Sequence, residues 1–199
     1  MPVTQARADA TRQTLLKVTG EILASEGYAA LNEDYLCAQS GVTRGALRYH
    51  FPAGRYDLLP AFASSVVERQ VQRLEALGSL PPRERLYLVL MSMRDTPPSA
   101  PTVALLELWM ACRGDSKLSA LMTPIMDLAL NQMLGASADP DDAEVLAMRI
   151  VVHGASMLSF SPDFSAERLK GALTWLLEKL PPPPALQAHL AALNKRRNE

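Results

Sequence analysis

The sequence predicts an all-α fold, with a small N-terminal module of short helices joined to a larger helical domain. Three observations predict it. Leu, Ala and Met are abundant while aromatics make up only 6% of the chain, a mix that favours helices because unbranched side chains lose little rotamer freedom there. Apolar residues recur at three-and-four spacing along the chain, and no strand-like alternation competes. Capping residues, glycines and prolines also punctuate the sequence at helix-length intervals.

Residues 1–7 read as a loose arm. A first helix fits about 8–25 through Leu15, Leu16, Val18, Ile22 and Leu23, with Gly27 as its stop. Asn32 is an N-cap, and Glu33 and Asp34 place acids in the first turn of a short second helix that ends at Gly41. Thr43 caps a third helix over about 44–50. Pro52-Ala53-Gly54 turns the chain into a fourth, about 55–77. Pro82 suits the first turn of a fifth, about 82–95. Helices of about 102–113 and 116–134 follow, the latter expected to kink or divide at Pro124. Asp139-Pro140-Asp141-Asp142 opens a helix of about 140–160, and Ser165 caps one of about 166–180. Pro181 to Pro184 must be extended, and residues 185–195 can form a last short helix ending at Lys195-Arg196-Arg197.

A length of 199 residues suits one sizeable core or a small module joined to a larger one. The net charge of −1 gives no global sign of a nucleic-acid partner, so any such argument must be local. Cys37 and Cys112 lie far apart without metal-ligand spacing, as expected in a reducing compartment. No basic-then-apolar leader opens the chain and no apolar run approaches the ~18 residues of a membrane span, so a cytoplasmic protein is expected. No cofactor, metal site or catalytic motif is expected either: His50, His153 and His189 are scattered, and no HExxH, phosphate loop or nucleophile elbow is present.

The informative stretch is 32–51. Two short helices joined by a tight glycine turn, each with apolar residues at helical spacing, make a helix-turn-helix. Leu36 and Cys37 should face Leu47 and Phe51, with Val42 filling the turn that Gly41 makes. The other face of the third helix then carries Thr43, Arg44, Arg48, Tyr49 and His50. Arg44 and Arg48 are i,i+4 neighbours on one side. A guanidinium fork suits guanine edges and phosphates.

The run Gly41-Val42-Thr43-Arg44-Gly45-Ala46-Leu47-Arg48-Tyr49-His50-Phe51, preceded by Glu26-Gly27-Tyr28, resembles the DNA-binding module of the TetR family of bacterial transcriptional regulators. The likeness covers roughly residues 8–60. It implies base contacts from Arg44, Gly45 and Ala46, and phosphate contacts from Thr43, Tyr49, His50 and Arg55. The chain departs from the family pattern in three places. Pro52-Ala53-Gly54 is one residue longer than the commonest turn, Arg48 stands where many members carry an aromatic, and Thr19-Gly20 replaces a small apolar pair. Arg48 could read a base or hold a phosphate. The first 60 residues are close to charge-balanced, so non-specific DNA affinity should be modest.

The resemblance further implies a DNA-binding module over 1–54, a connecting helix over 55–77, and a domain over 78–199 that binds an effector and dimerises. A homodimer would form through the helices of about 140–160 and 166–180. Val145, Leu146, Met148, Ile150, Val151, Val152, Met157 and Leu158 make the first of these apolar on more than one face. Candidate effector residues are Met91, Trp109, Met110, Met126, His153 and Met157. Flexible thioethers reshape around apolar ligands, and an indole can stack on one. The expected function is a ligand-responsive regulator, a repressor released from a palindromic double-stranded operator by a small apolar or aromatic molecule. The alternative is a helical sensor or adaptor that acts through a protein partner and has no operator of its own.

Overall fold

The computed structural model describes residues 3–76, 78, 80–96, 98–134, 139, 141–180, 182–183 and 186–187. These residues are helical, with α1 at Val3–Glu26, α2 at Glu33–Ser40, α3 at Arg44–His50, α4 at Arg55–Glu75 and α5 at Pro82–Asp95. The series continues with α6 at Ala100–Ala111, α7 at Ser116–Leu134, α8 at Ala143–Met157 and α9 at Ala166–Lys179. Two 3₁₀ turns, Tyr28–Ala30 and Leu158–Phe160, follow α1 and α8.

By packing, the chain falls into two compact units: Met1–Gln72 with Ser99–Ala129, and Arg73–Pro98 with Leu130–Glu199. The first unit is built around α1, which packs on α2, α3 and α6. Its core joins Leu15, Leu16 and Leu23 of α1 to Leu36, Leu47, Leu58, Leu59 and Phe62, and onward to Ala104, Leu108, Leu118 and Met122. Each fully buried Leu or Phe contributes ~1.5–3 kcal/mol of transfer free energy. The short helices α2 and α3 are therefore held by this shared core rather than by intrinsic propensity. In the second unit α5 packs on α8 and α9. Leu86, Tyr87 and Leu90 meet Val145, Met148 and Ala155 of α8 and Leu169, Leu173 and Leu177 of α9.

Four expectations are corrected. The first helix begins at Val3 rather than near residue 8. Residues 4–8 contain no helix breaker, and an exposed Gln5 Nε2 donates to Asp9 Oδ1 one turn on at 3.3 Å. Pro124 does not divide α7, which runs unbroken from Ser116 to Leu134. The proline is exposed, while Leu118, Met122, Ile125 and Met126 anchor the same helix to the core. Asp142 rather than Asp139 caps α8, its Oδ1 accepting from the Glu144 and Val145 N–H groups at 2.9 and 3.1 Å. Asp139 instead accepts from the Asp141 N–H at 2.9 Å and shapes the preceding turn. The sixth helix is Ala100–Ala111 in place of about 102–113.

Thr19 is completely buried, and its hydroxyl donates to the Leu15 carbonyl at 2.8 Å. Gly20 lies where a Cβ would come within 2.7 Å of the Phe62 ring, so its lack of a side chain lets α1 and α4 approach closely. The helix expected over 185–195 and its basic end lie outside the described residues, save for Leu186 and Gln187. Leu186 is buried in the second core. Among the described residues, no helix is long and apolar enough to cross a membrane, and no group of His, Cys, Asp and Glu could hold a metal ion.

Candidate nucleic-acid interface

Local chemistry makes the helix-turn-helix. Asn32 Oδ1 accepts from the Tyr35 N–H at 2.9 Å, capping α2. Gly41 ends that helix at φ 66°, in the left-handed region that favours glycine. Thr43 is extended, and its Oγ1 accepts from the Ala46 N–H at 3.2 Å, capping α3. Leu36, Leu47 and Phe51 are buried as expected, and Cys37 and Val42 pack against them half-buried. Burial pushes the Cys37 and Cys112 thiols up, away from the reactive thiolate form.

The outward face of α3 is polar and open. Tyr49 is 78% exposed, more than any other large hydrophobic side chain among the described residues. Arg44 and Gly45 are exposed beside it, while Ala46 and His50 are half-buried. The His50 ring meets Tyr49 edge-on at 5.1 Å between centroids. Arg44 pairs with Asp34, and both side chains are mostly exposed. An exposed pair of this kind is worth ~0.2–1 kcal/mol and is screened by salt, so Arg44 can exchange it for another anion.

Arg48 and Arg55, two further residues expected to meet DNA, are engaged inside the protein. The Arg48 guanidinium makes a two-point ion pair with Glu33, Nη2 to Oε1 at 2.6 Å and Nε to Oε2 at 3.1 Å. Its Nη1 also donates to the Pro52 carbonyl at 2.8 Å. Arg48 thereby braces α2, α3 and the turn into α4 at once. That brace explains Gly54, which sits at φ 65° where any Cβ would collide with Glu33 Oε1. The longer turn thus accommodates a bidentate pair of the strong, directional kind.

Arg55, the first residue of α4, folds against the rings of Tyr28 and Tyr56, with its guanidinium carbon 5.3 and 5.0 Å from their centroids. Its Nη2 lies 3.5 Å from Asp115 Oδ2, just before α7. Asp115 gathers several donors: the Tyr28 hydroxyl at 2.7 Å, the Tyr56 hydroxyl at 3.1 Å and the Leu118 N–H at 2.9 Å. The Tyr28 hydroxyl, then the Leu118 amide, the Tyr56 hydroxyl and Arg55, hold its carboxyl below the usual carboxylate range. Burial, followed by the same hydrogen bond, pushes the Tyr28 phenol up. Glu107, on α6, accepts from the Tyr28 N–H at 2.7 Å. Tyr28 is therefore a packing residue that fastens the recognition module to α6 and α7. Sequence reading missed Asp115 and the structural use of Glu33 and Glu107. The one available signal was Asp115 immediately before Ser116, an N-cap position for α7.

The expected effector residues fall in both units. Met126 packs on the first core, with Met110 half-buried and Trp109 44% exposed in the same unit. Met91 packs on the second core, where Met157 is partly exposed. His153 Nδ1 lies 2.7 Å from the Arg149 carbonyl. A cleft of about 230 Å³ opens between α2, α3 and the start of α4, floored by Leu31, Leu36, Leu47 and Leu58, and none of the expected effector residues lines it.

No family model matches the chain, and no curated protein matches it significantly. Solved structures do match its fold. A TetR-family transcriptional regulator from Rhodococcus sp. is 20% identical over 85% of this chain and 97% of its own, with a TM-score of 0.64. A transcriptional regulator from Saccharomonospora viridis, solved in complex with choline, is 19% identical over 85% and 96%, with a TM-score of 0.61. A TetR transcription regulator from Haloarcula marismortui is 21% identical over 85% and 96%, with a TM-score of 0.60. The chain, helical among the described residues, thus has the fold of the TetR-family regulators.

Proposed function

We propose that this chain is a TetR-type transcriptional regulator that reads a palindromic operator with α3, as a cytoplasmic homodimer and without catalysis. The carrying observation is the face of α3, where Arg44, Gly45 and Tyr49 are open to solvent while Leu47 and Phe51 are locked in the core. A short helix anchored on one side, with donors on the other, suits the major groove. Arg44 with Gly45 and Ala46 would meet base edges, and Thr43, Tyr49 and His50 the phosphates. Arg48 would act by bracing the helix rather than by reading a base.

Dimerisation is supported by α8. Val145, Met148, Val152 and Ala155 turn inward, while Leu146, Ile150, His153 and Met157 form a second stripe at four-three-four spacing. Ile150 on that stripe is 63% exposed, and Trp175 is 62% exposed on the face of α9 opposite Leu169, Leu173 and Leu177. A stripe of this spacing is a helix-pairing seam. A second copy would cover it and set two recognition helices about one DNA turn or more apart.

The regulatory reading is repression relieved by a small apolar or aromatic effector, with Met91, Trp109, Met110 and Met126 as candidate contacts, since His153 and Met157 fall on the proposed seam of α8. The choline bound to the Saccharomonospora viridis regulator supports a small-molecule effector. The test is selection of binding duplexes from genomic fragments, those flanking its own gene included, followed by titration of Arg44→Ala. The expected result is a palindromic site whose affinity falls by about 1–3 kcal/mol in the variant. Failure to enrich any duplex would leave the adaptor function standing in its place.

A further inference from the structure

We propose that Asp115, at the corner between α6 and α7, tunes DNA affinity by competing with phosphate for Arg55. The inference rests on the DNA-binding function assigned above to α3. Arg55 opens α4 four residues after Phe51, the C-cap of α3, so it stands at the edge of the recognition helix-turn-helix. Its side chain is 42% exposed, enough to reach solvent from where it lies.

The Asp115 side chain, by contrast, is 14% exposed and held by three donors at 2.7 to 3.1 Å. Its separation from Arg55 is 3.5 Å, longer than the ~2.7–2.9 Å of a close charge-assisted hydrogen bond. Arg55 therefore has the loosest hold in the cluster, and it is the partner that can be exchanged. Besides Asp115, the guanidinium donates to the Tyr56 hydroxyl at 3.0 Å and faces the Tyr28 and Tyr56 rings. A phosphate offers the same charge with more acceptor oxygens. Engaging DNA through Arg55 then requires breaking the Asp115 pair, so the carboxylate weakens binding without touching DNA. Asp115 is a positioning residue, and it lies outside the helix-turn-helix.

The experiment titrates the full-length chain into a labelled random-sequence duplex of about 30 base pairs at several salt concentrations. Asp115→Asn removes the charge while keeping an oxygen that accepts from the Leu118 N–H and an NH2 that can donate to the Tyr28 and Tyr56 hydroxyls, and circular dichroism melting monitors its fold. The expected result is binding tightened about two- to fivefold, the worth of an exposed ion pair. The salt exponent should rise by ~0.9 per subunit as one more phosphate is neutralised. In an Arg55→Gln background Asp115→Asn should leave the exponent unchanged. Tyr28→Phe, which returns one Asp115 lone pair to Arg55 while keeping the charge, should weaken binding. An unchanged exponent in Asp115→Asn, or an equal gain with Gln at 55, would overturn the proposal. Wild-type protein with no salt-dependent binding would instead overturn the DNA-binding function itself.

Discussion

Two helices of this protein leave one face open, and the two faces differ in kind. On α3 the open face carries an arginine, a glycine and a tyrosine above a buried Leu47. On α8 it carries Leu146, Ile150 and Met157 behind a buried Val145 and Met148. Exposure alone signals that something can dock, and chemistry decides what. A face of donors is already solvated and gains by exchanging water for phosphates and base edges. An apolar face gains only by leaving water, which a second protein surface allows and a DNA groove does not.

The contrast can be broken most sharply at Ile150. Ile150→Glu places a charge in the proposed seam, where an unpaired buried charge costs about 3–5 kcal/mol. Sedimentation should show the dimer dissociating by two orders of magnitude or more, while the far-ultraviolet circular dichroism at low temperature stays that of the wild type, because Ile150 is exposed on the single chain. Next in size are the recognition-helix arginines, which should behave differently from each other. Arg44→Ala should weaken DNA binding by about 1–3 kcal/mol with little change in thermal stability. Arg48→Ala should lower the melting temperature and DNA affinity together, since it removes the brace to Glu33 and Pro52.

Gly54→Ala should cost about 1–2 kcal/mol from its left-handed backbone alone, plus the collision with Glu33, read as a fall in melting temperature. The smallest effect is in acid. The Asp115 carboxyl is depressed in the folded state, so its stabilising contribution is complete above the ordinary carboxylate pKa of about 4 and is lost as pH falls through the lower folded value. Asp115→Asn should therefore flatten the acid limb of the stability profile and leave the neutral region's slope unchanged.

The fold was legible in the sequence because its signals are local. Asn32, Gly41, Thr43 and Ser165 each act within a few residues, and each caps or stops a helix where expected. The start of α8 was misplaced by three residues because two aspartates compete for the same role and only geometry decides between Asp139 and Asp142. The candidate site was legible only to the level of which residues face outward. Whether an outward arginine is free depends on partners distant in sequence. Glu33 lies 15 residues from Arg48, and Asp115 lies 60 residues from Arg55. Periodicity carries no information about such pairs. The same limit applies to α8, where a helix apolar on two faces reads identically whether its second face meets its own chain or another copy.

The most direct test of the two-face account is photocrosslinking from both helices in one preparation. A benzophenone amino acid in place of Tyr49 should crosslink to the selected operator duplex, and the same group in place of Ile150 should crosslink to a second copy of the chain with or without DNA. Crosslinks from position 49 to protein alone, in the presence of a duplex that the protein binds, would contradict it.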